Sequence, residues 1–437
     1  MATAAASGGH GGRPVSRPVA LMLLTRDPSG LLTGRKTVLA TAAASLEALG
    51  WQVEVMVPSR LPLAATWQGR PMHRLPAPLL PLLPLRGAAA AASGRRALNE
   101  VLFDDGRLRR AALALGRERR AQLVIADGVR LAGAAVATGL PVVAHLDDLL
   151  SDRYAAESAA GAAGGDLLGF YGEQLPAVLR RPAERVARLA LRREAAVLRR
   201  REVEVAQTVA ATAVTSPAEA RILSARAGRP VIAAPMAVDV VVGGSAVVRA
   251  PATSAVFLGW LGYAPNLVAL RWWRDRVRPE LDRRGGADIV LSVIGCSAER
   301  HVREFADERL RMTGYVEDLP AELRRHRVMV APITNGTGLK TKVLDGMSVG
   351  LPVVGTPLAV AGLDVSDGDQ AWIAADPGDF AERVLCARDD AAAAAAVGAR
   401  GRDLLASTWS GAALVDRWSQ LLTAAGASDQ GRAIPVV

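Results

Sequence analysis

Apolar and polar positions in the first part of the chain alternate between the period of a strand and the period of a helix. Residues 18–25 form a short apolar run, turn residues follow, and a helical pattern of apolar positions then extends to Gly50. Residues 52–57 alternate as the next strand. Because a βαβ unit requires a parallel sheet with helices on its faces, the pattern predicts a Rossmann-like domain.

The same alternation continues to about residue 215. Strands are predicted at residues 123–126, 141–145 and 212–215, and a long arginine-rich helix at residues 182–209. Four prolines interrupt the apolar segment 75–85, which excludes both a central strand and a helix and predicts a loop.

A second domain is predicted after a stretch in which glycine and proline become frequent, between residues 234 and 253. Five further strands are predicted at residues 255–259, 289–295, 311–313, 328–332 and 352–356. The fold class is therefore α/β, with two Rossmann-like doubly wound domains facing a central cleft. The expected division is a disordered tail (1–17), an N-terminal domain (18–240), a C-terminal domain (241–400), a helix that crosses back to the first domain (401–425) and a second tail (426–437).

Size and charge narrow the possible partners. A chain of 437 residues exceeds the size at which one core keeps growing, which fits two domains. The net charge of +10 favours nucleic acid, anionic lipid or phosphorylated ligands, and the absence of any recognition-helix, zinc-finger or RNA-binding signature argues against nucleic acid.

The two cysteines, Cys296 and Cys386, suggest neither a disulfide framework nor a zinc site, so a reducing cytoplasm is expected. The apolar run 19–24 is too short for a membrane span.

The segment 328–347 carries the clearest chemical signal. A buried-type strand runs into a turn with Gly336 and Gly338, and a helix follows that begins near Lys340. Unpaired backbone amides and the positive end of the helix dipole make such a helix start an anion site, and Lys340 adds a charge. A phosphate or diphosphate is the predicted ligand. Asp345, about one turn into the helix, could bind a ribose diol.

Together with its flanks, this segment resembles the C-terminal signature of glycosyltransferase family 4, the group 1 glycosyltransferases with the GT-B fold. The resemblance covers residues 328–363 and extends to residues 257–259, 265–266, 272–273 and 313–318. It implies a nucleotide diphosphate-sugar as donor and no cofactor. The donor site that it implies consists of Gly34, Gly259, Tyr315, Val316, Asn335, Gly336, Thr337, Gly338, Leu339, Lys340 and Asp345.

Each part of this set has an implied role. Residues 338–340 would face the diphosphate and the sugar, Asp345 the ribose, and Tyr315 with Val316 the base, while Gly259 would form the floor of the cleft. Gly34 would approach from the N-terminal domain.

The sequence also departs from the family pattern at several positions. Asn335 stands where family members carry a first glutamate, and Asp345 replaces the second. Residues 260–263 lack the expected arginine and lysine, so Lys340 or Lys342 is expected to supply the charge for the phosphates.

Asp147 and Asp148 follow a predicted strand, near the place where the family often carries a histidine that touches the donor sugar. One interpretation makes them catalytic, because a carboxylate there could orient sugar hydroxyls or accept the acceptor's proton. The other makes them a helix cap and a first-turn charge. The sequence leaves both open.

Two other features are interpreted structurally. The Asp-Gly-Asp at residues 367–369 reads as a turn rather than a metal site, so no metal is expected. His10, His73, His301 and His326 have no companions at ligand spacing and are interpreted as surface residues.

The arginine-rich stretch 180–201 could rest on anionic lipid near a lipid-linked acceptor. Its interspersed glutamates favour the alternative, a basic helix packed on its own domain. The expected location is the cytoplasm, with peripheral contact at the inner face of the membrane as an option.

The resulting hypothesis is a glycosyltransferase that moves a sugar from a nucleotide diphosphate-sugar to a sugar or lipid-linked hydroxyl acceptor, with retention, in polysaccharide, glycolipid or cell-surface glycan synthesis. Lys340, Asp147 and Asp148 are the candidate catalytic residues. The alternatives are a sugar-nucleotide epimerase and a catalytically silent homologue that acts as a membrane or partner scaffold.

Overall fold

Two parallel sheets organise the chain, one in each predicted domain. The computed structural model describes residues 17–30, 34–77, 94–101, 103, 106–159, 177–240, 250–296, 299–336 and 338–427. Most of each predicted tail, residues 1–16 and 428–437, lies outside these ranges, as do part of the proline-rich segment 75–85 and site residue Thr337.

The first sheet has the order β3-β4-β2-β1-β5-β6-β7-β8. Its pairs are parallel, except that β3 and β4 form an antiparallel hairpin. Its strands are β1 Val19–Leu23, β2 Gln52–Pro58, β3 Thr66–Trp67, β4 Arg70–Leu75, β5 Leu123–Asp127, β6 Val142–His145, β7 Ala211–Val214 and β8 Ile232–Ala233.

The second sheet is parallel throughout and has the order β11-β10-β9-β12-β13-β14. Its strands are β9 Ser254–Leu258, β10 Val290–Ile294, β11 Leu310–Gly314, β12 Val328–Ala331, β13 Val353–Gly355 and β14 Trp372–Ile373.

Helices connect the strands and cover the faces of both sheets. In the first domain they are α1 Gly34–Ala48, α2 Leu98–Val101, α3 Gly106–Glu118, α4 Val129–Val136, α5 Leu150–Ala159, α6 Ala177–Thr208 and α7 Pro217–Ala227. In the second they are α8 Ala264–Trp272, a π-helical turn Trp273–Val277, α9 Arg278–Arg283, α10 Glu299–Phe305, α11 Leu319–Leu323, α12 Thr341–Ser348, α13 Pro377–Asp389, α14 Ala391–Thr408 and α15 Gly411–Ala424.

Each sheet reverses its strand order once, and these reversals locate the places where ligands can bind. In the first sheet the order reverses between β1 and β5, and in the second between β9 and β12. Loops on the two sides of such a point diverge and leave a crevice at the carboxyl ends of the strands. The loops after β1, β5, β9 and β12 therefore carry the residues to consider.

The C-terminal helical stretch differs from its prediction. The single helix predicted over residues 401–425 is divided between two helices, α14 and α15, because Ser410 adopts an extended conformation and caps the second helix by accepting a bond from the Ala413 amide. Helix α15 packs on the first domain, where Trp418 and Leu421 are buried in its core. The Val238 amide donates to the Trp409 carbonyl at 2.8 Å, where the chain returns.

The interpretation of the histidines as surface residues is wrong for His301 and His326, each only 5% exposed. Nδ1 of His326 shares a 2.6 Å hydrogen bond with the Ser254 hydroxyl, its Nε2 lies 3.7 Å from the Glu322 carboxylate, and burial lowers its pKa. The His73 ring pairs with the buried Glu54 at 2.7 Å. The burial of a ring depends on tertiary packing, which spacing along the chain does not reveal.

Helix α6 packs against α5 through its described C-terminal part. Val197 and Leu198 are buried there, and the buried Glu202 accepts a bond from the Ser151 amide at 3.0 Å. Arg201 pairs with Glu100 at 2.9 Å. These contacts agree with a basic helix resting on its own domain. Over the described ranges, none of the helices is long and apolar enough for a membrane span.

Candidate functional site

A cleft of about 360 Å³ lies between the two domains, at the carboxyl ends of both sheets. The first domain lines it with the start of α1 and with the segments that follow β6 and β7, and the second domain with the turn before α12 and residues 358–362. Gly34 therefore faces the segment 338–341 across the cleft.

The turn after β12 is shaped by two glycines. Gly336 and Gly338 have φ of 99° and 72°, in the left-handed region that side chains disfavour. A Cβ on Gly336 would lie 3.3 Å from Cγ of Pro265, so the turn packs closely on the start of α8. The turn leads into α12, whose first residue, Thr341, lines the cleft, and the unpaired amide groups of a helix start favour the binding of an anion.

Lys340 lies at the junction of this turn and α12. Its ammonium donates to the Gly338 carbonyl at 2.6 Å and lines the cleft. Burial lowers its pKa to about 8. A cation held in a partly desolvated position, beside the helix start, gains more from an anionic ligand than an exposed lysine would.

Lys342 lies behind the turn. Its ammonium donates to Oδ1 of Asn266 and lies 4.5 Å above the centroid of the Phe257 ring. Burial, and next the charge of Lys340, lower its pKa to about 7. The chain contains only three lysines among 53 basic residues, and two of them are here. Since lysine, unlike arginine, shifts its pKa readily when buried, this choice suits a site whose charge changes with its ligand.

Asp345 points into a neighbouring cavity of about 420 Å³ that also contains Gly34 and Asp239. Burial raises its pKa to about 6, and Lys342 partly opposes that shift. Asn335 lies at the turn itself, where its Oδ1 is buried and accepts no hydrogen bond from the described residues. Both positions have unused acceptor capacity for a ligand's hydroxyl groups.

Arg35 organises the first domain's side of the cleft, and sequence reasoning missed it. Its guanidinium is 17% exposed and pairs with Asp127, the last residue of β5. Its Nη1 lies 3.0 Å from Nδ1 of His145 and 3.2 Å from Oδ1 of Asp147. One side chain thus joins the start of α1 to the ends of β5 and β6.

The charge state of this network follows from its donors. Arginine only donates, so Nδ1 of His145 accepts and its Nε2 donates to the Ala234 carbonyl at 2.9 Å. Burial and then Arg35 lower the pKa of His145 to about 4, which leaves the ring neutral. Burial alone would raise the pKa of Asp127, but Arg35 and Thr25 bring it to about 2. A permanent Arg35–Asp127 ion pair results.

Asp147 and Asp148 both line the cleft. Asp147 has a φ of 70° and accepts a 3.0 Å bond from the Thr215 hydroxyl in addition to its pairing with Arg35. A non-glycine residue in this conformation is uncommon and is often found at functional sites. Oδ2 of Asp148 pairs with Arg153 at 3.1 Å, while its Oδ1 is buried and has no partner among the described residues. Burial raises the pKa of Asp148.

Glu219 is a second residue that sequence reasoning missed. It lies in the first turn of α7 and lines the cleft beside the two aspartates. Burial, followed by repulsion from Asp148, raises its pKa to about 7. Its position in a helix beyond β7 gave no signal, because only the fold brings α7 to the cleft.

Four of the predicted donor residues line the 360 Å³ cleft, and these are Gly34, Gly338, Leu339 and Lys340. The other described members of the predicted set do not line it: Gly259, Tyr315, Val316, Asn335, Gly336 and Asp345. Gly259 follows β9, where a Cβ would come within 2.7 Å of the Asn266 amide nitrogen. Tyr315 and Val316 follow β11, and Tyr315 is 75% exposed.

The Asp-Gly-Asp turn has partners within its own domain. Asp367 accepts from the Ile373 amide at 2.8 Å and pairs with Arg383 at 2.9 Å. Asp369 pairs with Arg400 at 2.6 Å. These contacts support the structural interpretation of this motif.

Comparison of the sequence with known protein families supports the prediction made from the motifs of the second domain. Residues 252–390 match the family model described as Glycosyl transferases group 1. An uncharacterized 44.6 kDa protein in the cps region of Klebsiella pneumoniae is 27% identical over 142 residues. That alignment covers 30% of this chain and 36% of the relative, so the chain spans about a third of the curated relative that it matches.

Solved structures extend the similarity to nearly the whole chain. Sucrose-phosphate synthase from Thermosynechococcus elongatus aligns with a TM-score of 0.60 at 15% identity, over 93% of this chain and 98% of that one. HepE from Anabaena, in complex with UDP and glucose, aligns with a TM-score of 0.54 at 14% identity, over 93% and 100% of the two chains. The GT-B fold is thus confirmed, and the resemblance to group 1 glycosyltransferases is confirmed for residues 252–390.

Proposed function

We propose that this protein is a glycosyltransferase that transfers a sugar from a nucleotide diphosphate-sugar to a hydroxyl group of a sugar or lipid-linked acceptor, in the assembly of polysaccharide, glycolipid or cell-surface glycan. The observation that carries the proposal is the position of the turn from Asn335 to Lys340. This turn leads into α12 at the point where the second sheet reverses its strand order, and its end faces Gly34 across the cleft.

The donor's diphosphate fits the second domain's side of the cleft. The amide groups at the start of α12 and the Lys340 ammonium converge there, and Lys342 adds a second cation behind them. Structures of Anabaena HepE with UDP and with UDP-glucose are among the relatives of this fold, and this also supports a nucleotide diphosphate as ligand.

The reaction breaks the bond between the sugar's anomeric carbon and the diphosphate oxygen, and forms a bond between that carbon and the acceptor oxygen. Negative charge develops on the departing diphosphate, where the helix start and Lys340 would stabilise it. Because these groups supply positive charge, the proposed reaction requires no metal. We propose that the anomeric configuration is retained and that the departing diphosphate oxygen accepts the proton of the acceptor hydroxyl, so that no dedicated general base is needed.

The acceptor would bind on the first domain's side of the cleft. Arg35 and Thr215 hold the Asp147 carboxylate toward the cleft, and Asp148 has an unused oxygen beside it. Carboxylates in these positions can accept hydrogen bonds from sugar hydroxyl groups and orient the attacking oxygen. This assigns Asp147 and Asp148 to orientation of the acceptor and Lys340 to the leaving group.

A panel of UDP-, GDP- and ADP-sugars tests the proposal by thermal shift and by donor hydrolysis. At least one donor should raise the melting temperature, and Lys340→Ala should reduce that rise. Arg283→Ala is the matched control, because Arg283 is 67% exposed at the end of α9, before the amino end of β10. This variant should behave as the wild type. If no nucleotide sugar stabilises the protein, the enzyme assignment is wrong. Stabilisation without hydrolysis or transfer would favour the silent homologue.

A further inference from the structure

A second cavity, of about 390 Å³, lies in the first domain among α2, α3, α4 and α6. Within the described part of the chain, none of the residues that line it also lines the cleft between the domains. Most of its lining is basic, and the only acidic residue in that lining is Glu204. The basic residues are five arginines, Arg95, Arg96, Arg109, Arg200 and Arg201. The fold therefore gathers guanidinium groups from segments that lie far apart in the sequence.

Polar contacts hold two walls of this cavity together. The Arg200 guanidinium, on α6, donates to the Gly94 carbonyl at 2.8 Å. The neighbouring Arg201 pairs at 2.9 Å with Glu100 of α2, which is 4% exposed. The segment that carries the two arginines before α2 is thus tied to α6. Because the walls are held in place before a ligand arrives, less conformational entropy is lost when it binds.

The lining of the cavity favours an anion. Glu204 is 54% exposed and contacts Arg201, which also pairs with Glu100, so these two carboxylates lie at the same arginine. Guanidinium groups around one space repel one another, and a multiply charged anion between them offsets that repulsion. Every cation in the lining is an arginine, whose planar fork of donors fits two phosphate oxygens at once.

We propose that this arginine cavity binds a ligand through a phosphate monoester or diphosphate group, at a site separate from the cleft. The inference goes beyond the proposed function and does not depend on it. A phosphate is favoured over a carboxylate because it carries up to two charges and three acceptor oxygens, which several guanidinium groups can share. The volume of about 390 Å³ is near the lower end of the range for small-molecule sites, about 300–1,000 Å³, and suits a compact charged group.

Two sources supply such a group, a soluble phosphate compound and an anionic lipid headgroup. One feature beside the cavity bears on the lipid. Leu189 is 69% exposed, and spacings of four and seven residues place it on the face of α6 that carries Arg193 and Arg200. An apolar side chain among basic ones on a helix face suits the surface of an anionic membrane. The experiment therefore has one arm for each source.

Calorimetry with inorganic pyrophosphate is the soluble arm, performed in the Lys340→Ala background so that binding at the cleft is weakened. Arg96→Gln and Arg200→Gln each remove one guanidinium group, from two different walls. Either should raise the Kd about 10- to 150-fold, the equivalent of one charge-assisted hydrogen bond. Arg303→Gln removes the same charge from a 74% exposed side chain on α10 of the second domain and should leave the Kd unchanged.

Sedimentation with phosphatidylcholine vesicles that contain phosphatidic acid is the lipid arm. If the ligand is a lipid, the protein should sediment with these vesicles but not with pure phosphatidylcholine, and pyrophosphate should compete. Arg96→Gln and Arg200→Gln should then reduce sedimentation. Leu189→Ser should also reduce it, while leaving the Kd for pyrophosphate unchanged. If the ligand is soluble, pyrophosphate should bind in the first arm and no variant should affect sedimentation.

The arginine cavity is refuted as a site if the protein binds neither probe. It is also refuted if Arg96→Gln and Arg200→Gln match Arg303→Gln in both arms, since a diffuse basic charge would give that result. The thermal shift by a nucleotide sugar should persist in both cavity variants, because neither residue lines the cleft. Binding of pyrophosphate in the cavity, without any binding of nucleotide sugars, would retain this site and refute the proposed function.

Discussion

Binding of a nucleoside diphosphate should draw protons from solution, because the two lysines near the turn are only partly protonated in the free protein. The pKa of Lys340 is about 8 and that of Lys342 about 7. An anion at this turn favours the charged form of both amines. At about 4 Å and an effective dielectric constant of about 20, one pair of unit charges interacts by about 4 kcal/mol, which corresponds to about three pKa units.

The number of protons follows from these pKa values. At pH 8 about half of the Lys340 amines and about a tenth of the Lys342 amines carry a proton, so full protonation on binding takes up about 1.4 protons. At pH 8 Asp345, with a pKa of about 6, is ionised and contributes little. At pH 6 both lysines are already protonated, and their uptake falls to about 0.1 proton.

Isothermal titration calorimetry measures this uptake directly. Binding enthalpies at pH 8 are plotted against the ionisation enthalpy of several non-phosphate buffers, and the slope is the number of protons. Lys340→Ala should reduce the slope by about half a proton and Lys342→Ala by about 0.9, while Arg283→Ala should preserve it. Because the chain has three lysines, carbon-13 labelled lysine would give three resonances whose titration reports each pKa. Tight nucleotide binding at pH 8 with a slope of zero would refute the reasoning.

Three further predictions concern single residues. Lys340→Ala should weaken donor binding by about 1.5–3 kcal/mol, the worth of a charge-assisted hydrogen bond, and unchanged affinity by calorimetry would remove Lys340 from the site. Asp127→Asn removes the closer of the two carboxylates that pair with the buried Arg35, leaves Asp147 in place, and should lower the free energy of unfolding in urea by about 2–3 kcal/mol, the equivalent of the pKa shift of Asp127. Since the pKa of Asp127 is lowered from 3.8 to about 2, its stabilisation is present above pH 3.8 and lost as the pH falls through 2, and a difference that persists at pH 1.5 would contradict this origin. The pKa of Glu219 is raised from 4.5 to about 7, so this residue contributes stability below pH 4.5 that is lost as the pH rises through 7. Glu219→Gln should therefore raise the melting temperature at pH 8 but not at pH 4. Equal shifts at the two pH values would exclude titration of Glu219 as the cause.

The fold was predictable because its signals are local. The period of the apolar residues marks each central strand, and Gly50, with a φ of 88°, ends α1 where the pattern stops. The two-residue strands β3, β8 and β14 were missed, since two residues cannot show a period. The inner strand β4, Arg70–Leu75, was also missed, because arginine, proline and histidine interrupt its apolar positions. The break between α14 and α15 was missed because Ser410 reads equally well as an interior residue of a helix.

The two sides of the candidate site also differ in whether their signals are local in the sequence. Its second-domain side was predicted because Gly336, Gly338 and Lys340 are neighbours in sequence as well as in space. Its first-domain side depends on Arg35 and Glu219, which lie 184 positions apart and meet in the cleft only after the sheet has formed. The buried histidines show the same limit, because the burial of a ring depends on tertiary packing.

The return of the last helix to the first domain has a consequence for the cleft. The His145 ring, which accepts from Arg35, stacks on Trp418 of α15 at a centroid distance of 6.3 Å. The C-terminal helix thus supports, from behind, the side chain that orients Asp147. Because the chain passes between the domains both before β9 and after α14, any change in the arrangement of the domains involves both connections.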